Sequence, residues 1–346
     1  MLKLISLKDL NTMKVDTKFL GLIEKVQAGH MVTYEECAFL LQFPEASLES
    51  AITRGVADSM SRGQFGNTGF VFGQIGFEVA PCPGKCKFCS ISEEFTQFEP
   101  SVMSDEDILT AAEGFTGTGD LFALALMSMH DFNFERVLHV VQIVRAKIPK
   151  QTQIVINIGD FTLSQAEELK AAGANGAYHL ARLREGIDTT LDPERRKLTM
   201  SYIKQAGLDL YYCCEPIGPE HTPEEMAKQI LLGIDYGCFQ HGAMRRILIP
   251  SSPLSKYGQI TELRMAQVTA VVTLAALHCP ELRSIGVHEP NLLGITAGAN
   301  AIYAETGTNP RDTEKETSGN RGLDISDCKL MLTEAGFENL FHIHES

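Results

Sequence analysis

Gly69-Phe-Val-Phe-Gly-Gln-Ile-Gly-Phe-Glu-Val-Ala80-Pro-Cys82-Pro-Gly-Lys-Cys86-Lys-Phe-Cys89 is a strand-like run that leads straight into a cysteine loop. Phe, Val and Ile crowd the run as they do in strands, and the Pro-Gly pair after the first cysteine supplies a tight turn. Cys82, Cys86 and Cys89 are spaced C-x3-C-x2-C. Such a loop can turn three thiolates onto one face of an iron–sulfur cube and leave the fourth iron without a protein ligand, open to a reactant. A closed zinc site is the competing reading, but it needs four ligands in two pairs, and neither a second C-x2-C nor an H-x3-5-H occurs in the chain. A two-cysteine redox site would have no use for the third thiol.

Upstream of this stretch, residues 1 to about 66 read as helices: Asp16 to Val26, a second from Thr33 whose Thr33 and Glu36 form a capping box, and a third from about Ser47 to Arg62-Gly63. The third carries Ile52, Val56 and Met60 at helical spacing, and these are its expected core face. Downstream, strands and helices alternate. Strands are expected at Leu121–Met127, Gln153–Ile158, near Gly176, at Leu208–Cys213, Arg245–Pro250 and Ser284–Val287, followed by a closing turn Gly294–Tyr303. Helices are expected at Ser104, Phe134–Ile148, Ser164–Ala172, Pro193–Ala206, Pro223–Gly233 and Gln259–Leu277. This alternation implies a parallel sheet, and the count suits a closed (β/α)8 TIM-type barrel with an N-terminal helical extension: residues 1–66, then the barrel over 67–346. No Pro/Gly/Ser linker divides the chain.

In such a barrel the chemistry lies at the C-terminal ends of the strands, which is where the cysteine loop falls. The same rule nominates Ser128, His130, Asp131, Asn157, Asp160, His179, Arg182, Glu185, Cys213, Cys214 and Glu215. Each taken alone could equally be a loop hydrogen-bonder, since barrel mouths are polar by construction.

Composition narrows the partners. The 346 residues are 44% hydrophobic and carry a formal net charge of −14. Phosphate neutralisation needs clustered Lys and Arg, so nucleic acid is excluded as a partner. No apolar run approaches the length of a membrane span. Nine cysteines, an odd number with no export signal, imply a reducing compartment, so the expected location is cytoplasmic.

The cysteine loop, with Phe88 directly before its last cysteine, resembles the signature of the radical S-adenosylmethionine (SAM) enzymes. The likeness extends over nearly the whole chain to the biotin synthase branch, with its biotin synthase, HydE, methylornithine synthase and lipoyl-forming relatives. It is carried by Phe65-Gly-Asn, Ala172-Gly-Ala-Asn-Gly-Ala-Tyr, Pro193-Glu-Arg-Arg-Lys-Leu, Arg246-Ile-Leu-Ile-Pro and Thr296-Ala-Gly-Ala-Asn-Ala-Ile. Residues 245–346 resemble the biotin-and-thiamin-synthesis-associated region. The resemblance implies a [4Fe–4S] cluster on Cys82, Cys86 and Cys89, SAM chelated to its open iron, and a small-molecule or carrier-bound substrate. It implies an electron donor such as flavodoxin or ferredoxin. Phe88 and Arg196 fall at SAM-binding positions, Arg196 where the family holds the SAM carboxylate, and Arg182 and Glu185 lie one residue out of step with another SAM-contacting pair.

The departures from biotin synthase matter as well. Its auxiliary cluster ligands would align within Phe122-Ala-Leu-Ala, at Val155 and near Tyr211, none of which carries sulfur. Cys213, Cys214 and Glu215 follow instead, leaving room for a second cluster or a substrate sulfur, with Cys238, Cys279 or Cys328 as partners. The leading expectation is therefore sulfur insertion of the lipoyl or biotin type in cofactor biosynthesis. The alternative is a HydE-like or methylornithine-synthase-like rearrangement on one cluster, and a third reading is a non-catalytic iron–sulfur module. Glu305 to Leu323, too long for an ordinary barrel loop, is either a lid or a surface excursion.

Overall fold

The structure, a computed structural model, describes residues 15–97, 99–305 and 323–343. Its centre is a closed ring of eight parallel strands in chain order: β1 (Thr68–Gly76), β4 (Leu121–Met127), β5 (Gln153–Asn157), β6 (Gly176–Tyr178), β7 (Asp209–Tyr211), β9 (Gln240–Arg245), β10 (Ser284–His288) and β11 (Ala301–Ala304). The ring closes where Phe70 to Gly73 of β1 pair with Ala301 to Ala304 of β11. β2 (Glu78–Val79) and β3 (Ser101–Val102) form a small antiparallel pair outside it. β8 (Cys214–Ile217) continues the β7 wall alongside β9, and β12 (Asn339–Leu340) pairs with the base of β1. The (β/α)8 expectation is the fold observed.

Helices surround the ring, and most begin where the sequence signals them. Thr33 with Glu36, Thr162 with Gln165 and Thr222 with Glu225 each form a capping box, in which a hydroxyl and a glutamate or glutamine satisfy otherwise unpaired amides of the first turn. The helix Glu262–Ala276 is buried on nearly every face, as expected of a mostly apolar helix sealed on one side by the barrel and on the other by the N-terminal helices.

Three local expectations are corrected. In the helix Leu48–Gln64 the fully buried face is Ser50, Thr53, Ala57 and Ser61, while Ile52, Val56 and Met60 are only partly buried. Small side chains let this helix lie close against Glu262–Ala276; close approach outweighs apolarity here. Second, the strand expected at Arg245–Pro250 is instead Gln240–Arg245, and Ile247 and Ile249 face the central cavity from a loop. Its Gln-His-Gly-Ala composition masks a strand: Gly242 is required because a Cβ there would sit 2.7 Å from the Gly286 carbonyl oxygen of the neighbouring strand. Third, the closing turn holds a short helix, Leu292–Ile295, and the eighth strand, β11.

Two cores result. Outside the strands, aliphatic side chains pack between sheet and helices. Inside the ring the filling is aromatic, with Phe72, Tyr211 and Tyr303 around Val155 and the small Ala123 and Ala301. Above that plug the barrel stays open. Residues 306–322, which hold nearly all of the candidate lid, lie outside the described residues.

Candidate active site

The cysteine loop leaves the C-terminal side of β1 and is held by backbone hydrogen bonds on two sides. Cys82 N donates to Ile91 O at 2.7 Å, Glu93 N returns to Cys82 O at 3.1 Å, and Cys89 N donates to Cys86 O at 3.0 Å. From across the barrel mouth, Thr190 N donates to Gly84 O and Lys87 N to Asp188 O, while the Ser252 hydroxyl donates to Lys87 O. The loop is thus braced by the segments after β6 and β9 as well as by its own turn.

Gly84 lies under the sulfurs. A Cβ there would stand 3.6 Å from both Cys82 Sγ and Cys86 Sγ and 3.4 Å from Leu191, so two thiols and an apolar wall converge on the space a side chain would fill. Burial, with Cys89 next in effect, pushes the Cys86 thiol up to about 12, the behaviour of soft donors crowded together without a cation to hold their charge. No three His, Cys, Asp or Glu side chains among the described residues converge on one point as they would around a single ion. A cube that offers each thiolate its own iron does not need them to. The donor set and the cradle at Gly84 fit a cluster better than a mononuclear site.

Phe88 and Cys89 form one wall of a cavity of about 120 Å³ that enters the barrel from this mouth. Its floor is Phe72, Val155, Tyr211 and Tyr303; its rim includes Asn157, Arg182, Glu215, Arg246, His288 and Glu289. The charges on the rim are matched. Arg182 Nε donates to Glu215 Oε1 at 3.0 Å, Arg246 is gripped by both oxygens of Glu220, and Arg245 Nε donates to Glu289 Oε2 at 2.9 Å. His288 stacks on Tyr303 with ring centres 4.0 Å apart. Tyr178 donates to Glu215 and Tyr303 to Gln240, but the buried Tyr211 hydroxyl has no partner among the described residues.

Behind Arg182 lies a buried charge network. Arg182 N donates to Glu185 Oε2 at 2.9 Å, and Arg196 Nε donates to Leu180 O at 3.0 Å, 3.8 Å from the same Glu185 oxygen. Arg196 NH1, His179 Nε2 and Thr199 Oγ1 all donate to Asp160 Oδ1, at 3.2, 3.1 and 3.2 Å. Burial alone would raise the Asp160 carboxyl; the His179 hydrogen bond and the Arg196 charge outweigh it and hold it well below the usual carboxylate range. His179, completely buried and beside Arg196, is pushed down to about 3 and is neutral. Arg196 is 3% exposed, so it is no surface arginine of its helix. Ser128 Oγ and His130 Nδ1, buried near this network, have no hydrogen-bond partner among the described residues. Those orphaned groups fit a polar ligand above Asp160 and Arg196.

Sequence reasoning grouped Cys213, Cys214 and Glu215, and the structure divides them. Glu215 lines the cavity; Cys214 turns outward into the helix-facing core, near Cys37; Cys213 lies beneath Tyr178 and Tyr303, and neither thiol lines the cavity. Both are fully buried, and burial holds both thiols well above their ordinary range. The suggested partners lie elsewhere: Cys238 and Cys279 meet each other at the opposite end of the barrel, and Cys328 is buried in the helix Ile325–Glu334. Asp131 is exposed. The residues missed were Tyr178, Tyr303, His288 and the Arg246–Glu220 pair. Arg246 and Tyr178 stood in segments that carry the resemblance, without a role, and Tyr303 and His288 became legible once β10 and β11 were known.

No protein-family model and no curated protein sequence matches the chain. Its fold is shared with solved structures. Methylornithine synthase (PylB) superposes with a TM-score of 0.74 at 18% identity, covering 92% of this chain and 97% of that one. HydG, a maturase of the [FeFe]-hydrogenase, gives 0.79 at 16%, covering 96% and 79%; HydG from Carboxydothermus hydrogenoformans gives 0.76 at 16%, covering 94% and 79%. At such identities the likeness shows the fold.

Proposed function

We propose that this chain is a radical SAM enzyme that acts on a small molecule held inside its barrel, with one [4Fe–4S] cluster on Cys82, Cys86 and Cys89. The observation that carries the reading is that Cys89 and Phe88 form a wall of the cavity entering a closed barrel, which the Arg182–Glu215 pair also lines. When bound and reduced by one electron, the cluster and SAM supply a 5′-deoxyadenosyl radical that abstracts hydrogen from a substrate. The chain's own residues do the rest. Gly84 leaves the sulfurs room. Arg196, fixed through Nε and NH1 by Leu180 and Asp160, has no hydrogen-bond partner for NH2 among the described residues and suits a carboxylate, and Arg182 with Glu185 and Phe88 frames the remainder of SAM. The closed strands and aromatic floor exclude water, and Tyr211 OH, buried and unpaired among the described residues, is able to meet a polar atom of the substrate.

Between the two chemistries, the geometry favours a single-cluster rearrangement or maturation reaction over sulfur insertion. The interior positions Ala125, Val155 and Tyr211 carry no sulfur, and Cys213 and Cys214 point away from each other. The similarity of fold to methylornithine synthase and HydG is compatible with this choice. Sulfur insertion remains the second reading on account of Cys213, which lies against two cavity tyrosines. A reduced flavodoxin or ferredoxin is the proposed electron donor, in a cytoplasmic setting; no helix among the described residues is long and apolar enough to cross a membrane.

The test is anaerobic reconstitution followed by SAM and dithionite. Formation of 5′-deoxyadenosine with about four irons per chain supports the proposal, and seven or eight irons supports sulfur insertion. Iron loading without SAM cleavage would leave only the non-catalytic module.

A further inference from the structure

Cys238 and Cys279 lie at the end of the barrel remote from the cysteine loop. Cys238 comes two residues before β9 and Cys279 in the turn before β10; the two strand bases are tied by Arg283 N donating to Phe239 O at 2.7 Å and by the Ser284–Gln240 pairing. The shared register brings the cysteines together. Cys279 Sγ is 3.6 Å from Cys238 O and 3.5 Å from Glu281 Oε2, and the Cys238 thiol hydrogen-bonds to Cys279. Neither sulfur is needed by the site above. With Glu281 they still do not make a metal site, since no such group of three converges among the described residues.

We propose that Cys238 and Cys279 form a redox-active dithiol that closes to an intramolecular disulfide by exchange with a low-molecular-weight disulfide. Cys279 is the attacking sulfur: it retains slight exposure, 5% against 0% for Cys238. The hydrogen bond from Cys238 brings its thiol down to about 7, against burial and the Glu281 carboxylate, while giving that bond, together with burial, holds Cys238 itself high. A thiol of that acidity is about half thiolate at neutral pH and near the optimum for exchange. Lys204, whose Nζ donates to Gly237 O, and Glu281 are the charged groups that face the pair.

The Cys279 thiolate attacks one sulfur of the external disulfide, forming a mixed disulfide and releasing one external thiolate. Cys238 then gives up its proton, its sulfur attacks that of Cys279, and the second external thiolate leaves. In sum two protein thiols are oxidised by two electrons and one external disulfide is reduced to two thiols. Closure staples the turn after the helix Pro223–Asp235 to the turn after Glu262–Ala276.

The experiment treats the anaerobically reconstituted full chain with oxidised glutathione at neutral pH, alkylates under denaturing conditions, and maps the peptides with and without dithiothreitol. The expected result is loss of alkylation at both Cys238 and Cys279, a linked peptide that joins them and that dithiothreitol separates, and retained labelling of Cys37 and Cys328. A Cys238→Ser chain should stop at a glutathione adduct on Cys279. Persistent free thiols at both positions of the parent chain, or a stable glutathione adduct on Cys279 in the parent, would overturn the proposal. The parent mapping decides even if the variant does not fold.

Discussion

Asp160 and Arg196 belong to different βα units, yet one carboxylate oxygen of Asp160 takes NH1 of Arg196 at 3.2 Å together with a histidine and a threonine. The guanidinium is therefore oriented before any ligand arrives, with NH2 unpaired among the described residues. A pre-set arginine loses less freedom on binding than a surface one.

Replacing Arg196 by Ala should leave the cluster in place and weaken SAM binding, because a carboxylate partner is lost and no iron ligand is. Charge-assisted hydrogen bonds of this kind are worth about 1.5–3 kcal/mol, or roughly ten- to a hundredfold in dissociation constant. Asp160→Asn should act in the same direction and more weakly. Equilibrium binding of SAM to the reconstituted variants decides, and an unchanged constant for Arg196→Ala would make that residue a strut of the fold and nothing more.

Cys82→Ala, Cys86→Ala and Cys89→Ala, each reconstituted anaerobically, should lose the cluster's visible absorbance and all formation of 5′-deoxyadenosine. Residual SAM cleavage in any one of them would remove the central assignment.

The architecture was legible from the alternation of strands and helices, because a parallel barrel writes its period in apolar runs such as Leu121–Met127. What stayed hidden was strand β9, where the crowding at Gly242 demands small residues and so erases the apolar signal, and β11, whose Ala301 fills tight interior space. The cysteine loop could be read because its chemistry is local. The Asp160–Arg196–Glu185 network could be nominated only residue by residue, since its members lie on separate loops and only folding brings them to one place. The adjacency of Cys213 and Cys214 does not carry into space for a simple reason: side chains alternate along a strand, so neighbours in sequence face opposite sides of the wall.

That alternation yields a prediction. The Cys213→Ala/Cys214→Ala double variant should hold as much iron as the parent and cleave SAM at a similar rate. Removing two buried sulfurs should cost about 1 kcal/mol each in stability. Iron per chain, 5′-deoxyadenosine and a thermal melt measured together make the test, and a clear fall in iron would restore the second-cluster reading.

Stability should decline on acidification. His179 and His241 are fully buried, and burial brings them down to about 3 and about 4. Between those values and the ordinary 6.5 the unfolded chain takes up protons that the folded chain refuses, so the stabilisation is complete above about pH 6.5 and is lost as pH falls toward 4. Each histidine can contribute up to about 1.4 kcal/mol per pH unit in that window. Thermal melts of the anaerobic chain should show the midpoint dropping from pH 6.5 to 4.5, with a shallower slope in His241→Gln. A flat midpoint over that range would refute it.

The pairing of β1 with β11 sets an order of events during synthesis. The cysteine loop emerges early, but the strand that carries it gains its second neighbour only when Ala301–Ala304 have been made, and its base is tied to Asn339–Leu340 later still. A nascent chain short of that point displays three thiols on an unclosed sheet, with the aromatic floor of the barrel open to water through the missing Tyr303. Non-local closure of this kind is slow. Iron and sulfide delivered before the ring shuts would meet a flexible, solvated loop; delivered afterwards, they would meet one already braced from Thr190 and Ser252. On the proposed assignment, a cluster would find the loop in a closed barrel only after Ala301–Ala304 have paired with β1.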